Sequence, residues 1–196
     1  DWLGWRPETT HQIIGPHSFV TATADVKSRG LGLLSLGAKL HLRQPDAVCH
    51  CATYAEIDFK GTSGFVPHAH IMPMSAGCDD WVAVAESLIG SPYRWGGRAS
   101  TGLDCSALVQ LALAVAGKPV PRDSGPQHDI GTALQGIDDL QRGDLVFWAG
   151  HVGIMQDGDR LLHANAHHMA VASEPLGVAS RRIAAIAGPI TALRRP

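Results

Sequence analysis

The hydrophobic positions of the chain follow one pattern before residue 75 and another after it. Between residues 18 and 71, short apolar runs of strand length are separated by turn-forming residues, which is typical of β-strands. Beyond residue 79, longer apolar segments with helical spacing precede a further set of strand-like runs. The pattern predicts an all-β first part and a second part of the α+β class with an antiparallel sheet.

Two helices are predicted in the second part. The first covers residues 81–89, with one of the two aspartates before it as N-cap. The second covers residues 105–116, where Ala and Leu predict a mostly buried helix behind the N-cap Asp104. Cys105 is therefore expected in the first turn of this second helix.

Three strands are predicted after these helices, over residues 144–148, 151–156 and 160–164. The last two are separated by Asp157-Gly158-Asp159, a strong hairpin-turn sequence. In a hairpin centred there, residues whose numbers sum to about 314 to 316 face each other. The sequence therefore predicts that His151 and His163 are close neighbours.

A short repeat and the change of composition set the predicted domain boundaries. Gly4-Trp5-Arg6-Pro7 resembles Gly64-Phe65-Val66-Pro67, so we predict that residues 1–14 hold the last strand of a preceding small unit. The rest of the chain is predicted to form a β-rich domain, a linker and a second domain, over residues 15–73, 74–78 and 79–196.

Composition and charge exclude some classes of partner. The formal net charge is −2 and no run of Lys or Arg exceeds two residues, so no nucleic-acid partner is predicted. No stretch approaches the roughly 18 to 20 consecutive apolar residues of a membrane span, so none is predicted. The sequence carries no signal for the oligomeric state.

Localisation is predicted from the cysteines and from the start of the sequence. The four cysteines are sparse, and Cys49 and Cys51 are too close together to staple the fold, which favours free thiols in the cytoplasm. No basic-then-apolar signal peptide is visible, although the sequence starts at Asp1 rather than at Met. A periplasmic or secreted location is the alternative if a signal peptide was removed.

Cys105 draws attention because of its predicted position. A cysteine attacks as the thiolate, and the first turn of a helix favours this anion over the thiol, whose ordinary pKa is about 8.5. Gly96, Gly97 and Gly102 precede it and would let backbone N–H groups approach a substrate carbonyl. The alternative reading of Cys105 is a small buried hydrophobic residue, a frequent role of cysteine.

The two histidines of the predicted hairpin complete a catalytic arrangement. His151 would take the proton from Cys105, while a neutral His163 would hold the ring of His151 in the productive tautomer. Either histidine alone is more often an ordinary half-buried strand residue. Together with a cysteine at a helix start, the set indicates a cysteine-peptidase centre.

Six short motifs resemble, in order and spacing, those of the NlpC/P60 cysteine peptidases. They lie within about residues 79 to 165 and read Pro92-Tyr93-x-Trp95-Gly96-Gly97, Asp104-Cys105-Ser106, Arg122-Asp123-Ser124, Arg142-Gly143-Asp144-Leu145-Val146-Phe147, His151-Val152-Gly153-Ile154 and Leu162-His163-Ala164. The resemblance implies a papain-like catalytic domain with Cys105 as nucleophile, His151 as base and His163 as orienter. It implies no cofactor.

The first part resembles the bacterial SH3-like (SH3b) barrels, most visibly over residues 61–67. The combination resembles the dipeptidyl-peptidase VI branch, which hydrolyses γ-D-glutamyl–diamino acid bonds of peptidoglycan stem peptides and requires a free N-terminal L-Ala. The branch implies a peptidoglycan-derived peptide as partner and a substrate pocket at Tyr93, Asp104, Ser106 and Ser124. Asp104 and Ser106 are equally expected as helix cap and first-turn residue.

Two other functions are compatible with this centre. Papain-like amidases or acyltransferases, acting on another amide or a lipid, would need an apolar groove near Cys105. A cell-wall binding module with a vestigial active site would lack an activated thiol. A zinc site at residues 49–51 or at His68 and His70 lacks partners at structural-site spacing, so no metal is predicted.

Overall fold

A computed structural model describes residues 8–43 and 54–196. The chain divides into two compact units, Asp1–Gly77 and Cys78–Pro196. Strands form antiparallel sheets in both units, and the helices longer than one turn lie in the second unit over the described residues. The predicted α+β class is confirmed.

Seven strands form two antiparallel sheets in the described part of the first unit. They are β1 (His11–Ile13), β2 (His17–Thr21), β3 (Gly30–Ser35), β4 (Lys39–Leu40), β5 (Tyr54–Phe59), β6 (Thr62–Pro67) and β7 (Ile71–Pro73), with a 3-10 turn at His68–His70. The strand orders are β4-β1-β7 and β3-β2-β6-β5. Alternate side chains of these strands form one apolar core, made of Ile13, Val20, Leu40, Leu42, Ala55, Ile57 and Val66. The SH3-like assignment of this unit stays a prediction.

Strand β1 lies in the segment that was predicted to close a preceding unit. It pairs instead with β4 and β7, with His11 opposite Leu40 and Gln12 opposite Met72. Its main-chain hydrogen bonds therefore make it part of a sheet of the first unit. The first copy of the short repeat, at residues 4–7, lies outside the described residues.

The second unit combines four helices with a six-stranded antiparallel sheet. Its elements are α1 (Trp81–Glu86), β8 (Arg98–Ala99), β9 (Gly102–Leu103), α2 (Cys105–Val115), α3 (Ser124–Gln127), β10 (Thr132–Ala133), β11 (Leu145–Trp148), β12 (His151–Met155), β13 (Arg160–Asn165), β14 (Ala170–Pro175), α4 (Leu176–Ala187) and β15 (Ala192–Arg195). A 3-10 turn spans Ile137–Asp139, and the sheet order is β10-β15-β11-β12-β13-β14. The predicted helices and three strands are present, and the additional elements are β8, β9, α3, β10, β14, α4 and β15.

Helix α2 begins where the sequence predicts it. Asp104 has extended backbone, and its Oδ1 accepts a hydrogen bond from the Ala107 N–H at 2.9 Å, which satisfies one free donor of the first turn. The helix ends at Val115, and Gly117 two residues later has a φ of 79°, which allows the chain to reverse. Nine of its eleven residues are buried, so α2 forms the centre of the second unit.

The hairpin of β12 and β13 has the predicted register. Ile154 lies opposite Leu162, and Met155 lies opposite Leu161. In the turn between the strands, Asp157 Oδ1 accepts hydrogen bonds of 2.8 Å from two backbone N–H groups. This turn fixes the register and with it the positions of the two histidines.

Among the described residues, no helix is both long and apolar enough to cross a bilayer.

Candidate active site

Cys105 is the first residue of α2, and its thiol is free and 7% exposed. Burial raises the pKa of this thiol, and the nearby Asp104 charge raises it further. Backbone N–H groups of Val152 and Ser106 act in the opposite direction because they stabilise the thiolate. The N–H groups at the helix start do favour the thiolate, but burial outweighs them, so the net direction of the pKa is upward. The sulfur needs a base to become a nucleophile.

His151 and His163 form a hydrogen-bonded pair. Nε2 of His151 lies 2.8 Å from Nδ1 of His163, and the rings meet edge to face. The Val152 N–H that points at the Cys105 sulfur belongs to the residue after His151. The start of β12 thus joins the thiol to the imidazole pair.

A carboxylate and a guanidinium extend this pair away from Cys105. His163 is fully buried, and its Nε2 lies 2.8 Å from Glu174 Oε1 on β14. Arg182 of α4 donates to both oxygens of Glu174, from Nη1 to Oε2 at 2.8 Å and from Nη2 to Oε1. The result is a continuous line of four side chains across β12, β13, β14 and α4.

The negative charge of Glu174 determines which ring nitrogens of His163 and His151 carry a proton. The Arg182 guanidinium, against burial of the carboxyl, lowers the pKa of Glu174 to about 2, so Glu174 is an anion that can only accept. His163 must therefore donate through Nε2–H, and its Nδ1 is left as acceptor when the ring is neutral. His151 then donates through Nε2–H. Its Nδ1 carries no proton and can accept the one from the thiol.

Both imidazoles are held in the neutral form. Burial, followed by the neighbouring His163 and Arg182, lowers the pKa of His151 to about 3. Burial also lowers the pKa of His163, while the hydrogen bond to Glu174 acts against it. Burial thus disfavours a positive charge on either ring.

Cys105 opens into a cleft of about 480 Å³. The lining residues include the predicted Asp104, Ser106 and Ser124, and they are Trp95, Gly96, Asp104, Cys105, Ser106, Arg122, Asp123, Ser124 and Gly150. Trp95 is 82% exposed at this cleft. Tyr93 lines a second cavity of about 380 Å³ together with His151 and His163. Burial and then the nearby Cys105 raise the pKa of the Tyr93 phenol, which places Tyr93 within electrostatic reach of the sulfur.

The predicted substrate ligand Asp104 is fully occupied by the protein itself. Its two oxygens accept from Arg122 at 2.7 and 2.9 Å, from the N–H groups of Ala107 and Gly96 at 2.9 Å, and from Ser106 Oγ at 3.2 Å. Burial opposes ionisation, but these donors, led by Arg122, lower the pKa of Asp104. The capping interpretation of Asp104 is the one that the geometry favours.

Ser106 belongs to the same network, because its Oγ also accepts from Arg122 at 2.9 Å. Gly96 and Gly97 were expected to help bind a substrate carbonyl, but their N–H groups donate to Asp104 and to the Arg94 carbonyl at 2.9 Å. Asp123 is different: its side chain is 80% exposed, and its Arg122 contact is 4.0 Å long. It is the carboxylate of the cleft that has capacity for a ligand.

Arg122, Glu174 and Arg182 are the residues of the site that sequence reasoning missed. Arg122 was noticed only as part of a motif, and a signal for it existed in the acid at position 104, which needs a buried partner. Glu174 and Arg182 lie on β14 and α4, beyond the last predicted strand. Residues 170–175 do not alternate between apolar and polar positions, so the sequence carries no clear signal for β14.

One cluster of metal-ligand type occurs among residues 8–43 and 54–196. His163, His168 and Glu174 have ligand atoms within 4.8 Å of one another. Arg182 and His163 already occupy the Glu174 carboxylate, so a cation would have to displace a guanidinium. The Cys49-His50-Cys51 segment lies outside the described residues.

Comparison with known proteins identifies the second unit. Residues 90–184 match the model of the NlpC/P60 family. The chain is 32% identical over 111 residues to a gamma-D-glutamyl-L-lysine dipeptidyl-peptidase of Bacillus subtilis, which covers 51% of this chain and 37% of that protein. It is 39% identical over 101 residues to a probable endopeptidase of Corynebacterium glutamicum, which covers 50% of this chain and 48% of that protein.

A crystal structure of an NlpC/P60 family protein from Bacillus cereus has the same fold. It superposes with a TM-score of 0.78 at 22% identity and covers 96% of this chain and 63% of that one. The chain spans less than half of the two sequence relatives, at 48% and 37% of their lengths. The match to the NlpC/P60 family model is confined to residues 90–184, which lie in the second unit.

Proposed function

We propose that the chain is a cysteine peptidase that hydrolyses γ-D-glutamyl–diamino acid bonds of peptidoglycan stem peptides and requires a free N-terminal L-Ala. The observation that carries the proposal is the buried Cys105 thiol, which accepts a hydrogen bond from the N–H of Val152, the residue after His151, together with the hydrogen-bonded pair of His151 and His163. The relatives named as a dipeptidyl-peptidase and an endopeptidase support the substrate class.

The geometry supports an acyl-enzyme route. Nδ1 of His151 takes the thiol proton as the Cys105 sulfur attacks the γ-carbonyl carbon of D-glutamate. Protonated His151 gives this proton to the departing amine as the C–N bond breaks, which leaves a thioester. A water, deprotonated by His151, then attacks the thioester, the C–S bond breaks, and the proton returns to sulfur.

Generating charge on His151 is the step for which the site is built. The imidazolium forms transiently in a buried environment that disfavours it, as the lowered pKa of His151 shows. His163 and the anionic Glu174 behind it lie in line with the Nε2–H of His151 and can stabilise the new charge. Thiol, base and orienter therefore act as one unit.

Recognition of a free amine needs an anion beside the nucleophile. Asp104 accepts five hydrogen bonds within the protein, whereas Asp123 lines the same cleft with an exposed carboxylate. We therefore propose Asp123, with the hydroxyl of Ser124, as the ammonium ligand. Tyr93 contributes its ring to the wall on the side of His151.

The first unit is proposed to be SH3-like, on its strand rhythm and the motif at residues 61–67. A cytoplasmic site of action stays a prediction from the free thiols. Cys78 and Cys105 are free, and Cys49 and Cys51 lie outside the described residues.

The proposal is tested with pairs of synthetic peptides. L-Ala-γ-D-Glu-L-Lys and L-Ala-γ-D-Glu-meso-diaminopimelate are incubated with the protein, each with a free and with an acetylated N-terminus, and products are separated by mass. We expect release of the dipeptide L-Ala-D-Glu from the free peptides only, and no release by Cys105→Ala.

Three results separate the parts of the proposal. Equal cleavage of acetylated and free peptides would refute the requirement for a free amine and leave the peptidase assignment standing. Asp123→Asn should raise KM for the free peptides tenfold or more, and an unchanged KM would refute the role of Asp123 as ammonium ligand. Hydrolysis by Cys105→Ala at the rate of the unchanged protein would refute the cysteine mechanism.

A further inference from the structure

The Glu174 carboxylate beside His163 favours a second proton on this imidazole. Glu174 is 8% exposed and contacts a fully buried His163 at 2.8 Å. A lone buried carboxylate at this distance favours the imidazolium, because opposite charges attract strongly in a medium of low dielectric constant. An imidazolium at His163 would carry protons on both ring nitrogens.

A doubly protonated His163 would disable the base. Its Nδ1–H would point at Nε2 of His151, so this nitrogen would have to accept, and the proton of His151 would move to Nδ1. Nδ1 is the nitrogen that must be empty to take the thiol proton of Cys105. The activity therefore depends on a Glu174 that accepts a hydrogen bond without drawing a second proton onto His163.

Arg182 supplies that restraint. Its guanidinium contacts both oxygens of Glu174, and its side chain is 23% exposed. The two-nitrogen contact neutralises the carboxylate while leaving one lone pair for the Nε2–H of His163. Arg182 also lines the cavity that His151 and His163 share.

We infer that Glu174 and Arg182 act together as positioning residues that keep His163 uncharged, with its proton on Nε2, and thereby keep Nδ1 of His151 free to accept the thiol proton. The inference rests on the proposed function for its kinetic test, but the positions of the protons are measurable without substrate. The other titratable groups around His163 are His151 on β12, His168 in the turn before β14, and Tyr93 in the shared cavity.

The protons are located by NMR on protein labelled with ¹⁵N at histidine. At pH 7 we expect the shifts of a neutral His163 protonated at Nε2 and of a neutral His151 protonated at Nε2. A His163 that carries its proton on Nδ1, or that is an imidazolium in the unchanged protein, would overturn the inference. This outcome does not depend on whether the proposed substrate is cleaved.

Substitutions of the two positioning residues are expected to change the pH dependence of activity in different ways. In Arg182→Met, Glu174 acts unrestrained, so His163 becomes protonated at higher pH and the acid limb of kcat/KM moves upward. For each pH unit of that movement, activity on the acid side falls about tenfold, and it recovers in alkaline buffer. Arg182→Lys retains the charge and should restore most of the profile.

Glu174→Gln removes the acceptor charge itself. We expect kcat to fall about 10²-fold or more at every pH, because no carboxylate remains to stabilise the imidazolium of the reaction. Raising the pH should not rescue this variant. The contrast with Arg182→Met distinguishes control of protonation from a loss of folding, which would lower activity in both variants without pH rescue.

A second carboxylate–guanidinium pair in the same unit provides the matched control. Arg195 contacts Asp144 through two nitrogens at 2.8 and 2.7 Å, and Asp144 is 1% exposed. Arg195→Met should lower the melting temperature but leave the acid limb of kcat/KM in place. If Arg182→Met gives the same acid limb as Arg195→Met and His163 keeps its neutral form, Arg182 has only a structural role and the inference is wrong.

Discussion

Two carboxylate–guanidinium pairs flank the candidate active site, one beside the thiol and one behind the base. Apart from the 4.0 Å contact of Arg122 with Asp123, the other contacts of Asp104 and Arg122 are with backbone N–H groups, the Gly97 carbonyl and the Ser106 hydroxyl, none of which titrates near neutral pH. Glu174, by contrast, contacts an imidazole. Asp104 and Arg122 therefore fix the backbone at the start of α2, whereas Glu174 and Arg182 fix the proton on Nε2 of His163. Similar pairs have different roles because their third partner differs.

The largest expected effect on stability lies on the side of the thiol. Asp104→Ala removes the cap of α2 and leaves Arg122 without its partner, so the free energy of unfolding should fall by about 3 to 5 kcal/mol. Asp104→Asn retains a capping oxygen and should lose less. Urea unfolding followed by circular dichroism measures both. Equal stability of Asp104→Ala and the unchanged protein would show that the Asp104–Arg122 pair does not stabilise the fold.

A smaller effect is expected on the side of the base when the solution is acidified. Arg182 lowers the pKa of Glu174 to about 2, from an ordinary value of 4.5. A lowered pKa means that the contribution to stability is complete above pH 4.5 and is lost as the pH falls through 2. The lowering of the Glu174 pKa corresponds to a contribution of at most about 3 kcal/mol to the free energy of unfolding.

This acid dependence is checked by urea unfolding at pH 6, 4 and 3. Glu174→Gln should be less stable than the unchanged protein at pH 6, and the difference should shrink toward pH 3. Asp144 and Arg195 form the control pair, which is present in both proteins. A constant difference across this range would show that the charge of Glu174 contributes nothing to folding.

The smallest expected effect concerns a hydroxyl of the first pair. Ser106 Oγ donates to Asp104 and accepts from Arg122, so Ser106→Ala leaves those two charged groups in contact and removes only the bridge between them. The free energy of unfolding should fall by about 1 kcal/mol. Ser124→Ala, at the other wall of the cleft, is the control that should leave stability within about 0.5 kcal/mol. A loss of several kcal/mol in Ser106→Ala would mean that the hydroxyl, and not the ion pair, holds the network together.

Local sequence signals were sufficient to place Cys105 at a helix start and His151 next to His163. Asp104 before an Ala- and Leu-rich run predicts the start of α2, and the Asp-Gly-Asp turn fixes the register of the β12–β13 hairpin. Both depend on contacts within a few residues, which a sequence displays directly. The NlpC/P60 resemblance used the same residues and led to the same domain.

Packing between elements explains what the sequence did not reveal. Glu174 of β14 meets His163 of β13, and Arg182 of α4 meets Glu174, so both contacts depend on elements that were not predicted. The raised pKa of Cys105 likewise comes from burial, which depends on how β12 packs over the start of α2. The occupied carboxylate of Asp104 depends on an arginine eighteen positions away, and so do the limits on its use as a substrate ligand.

The burial of α2 also has a consequence for motion. An eleven-residue helix with nine buried residues opens rarely, so its amide hydrogens should exchange among the slowest of the chain. Across the cleft, α3 spans four residues, of which Gln127 is buried. The Cys105 sulfur thus lies on the most rigid helix of the unit. We expect the wall of the cleft that carries Asp123 and Ser124 to move more readily when a peptide binds.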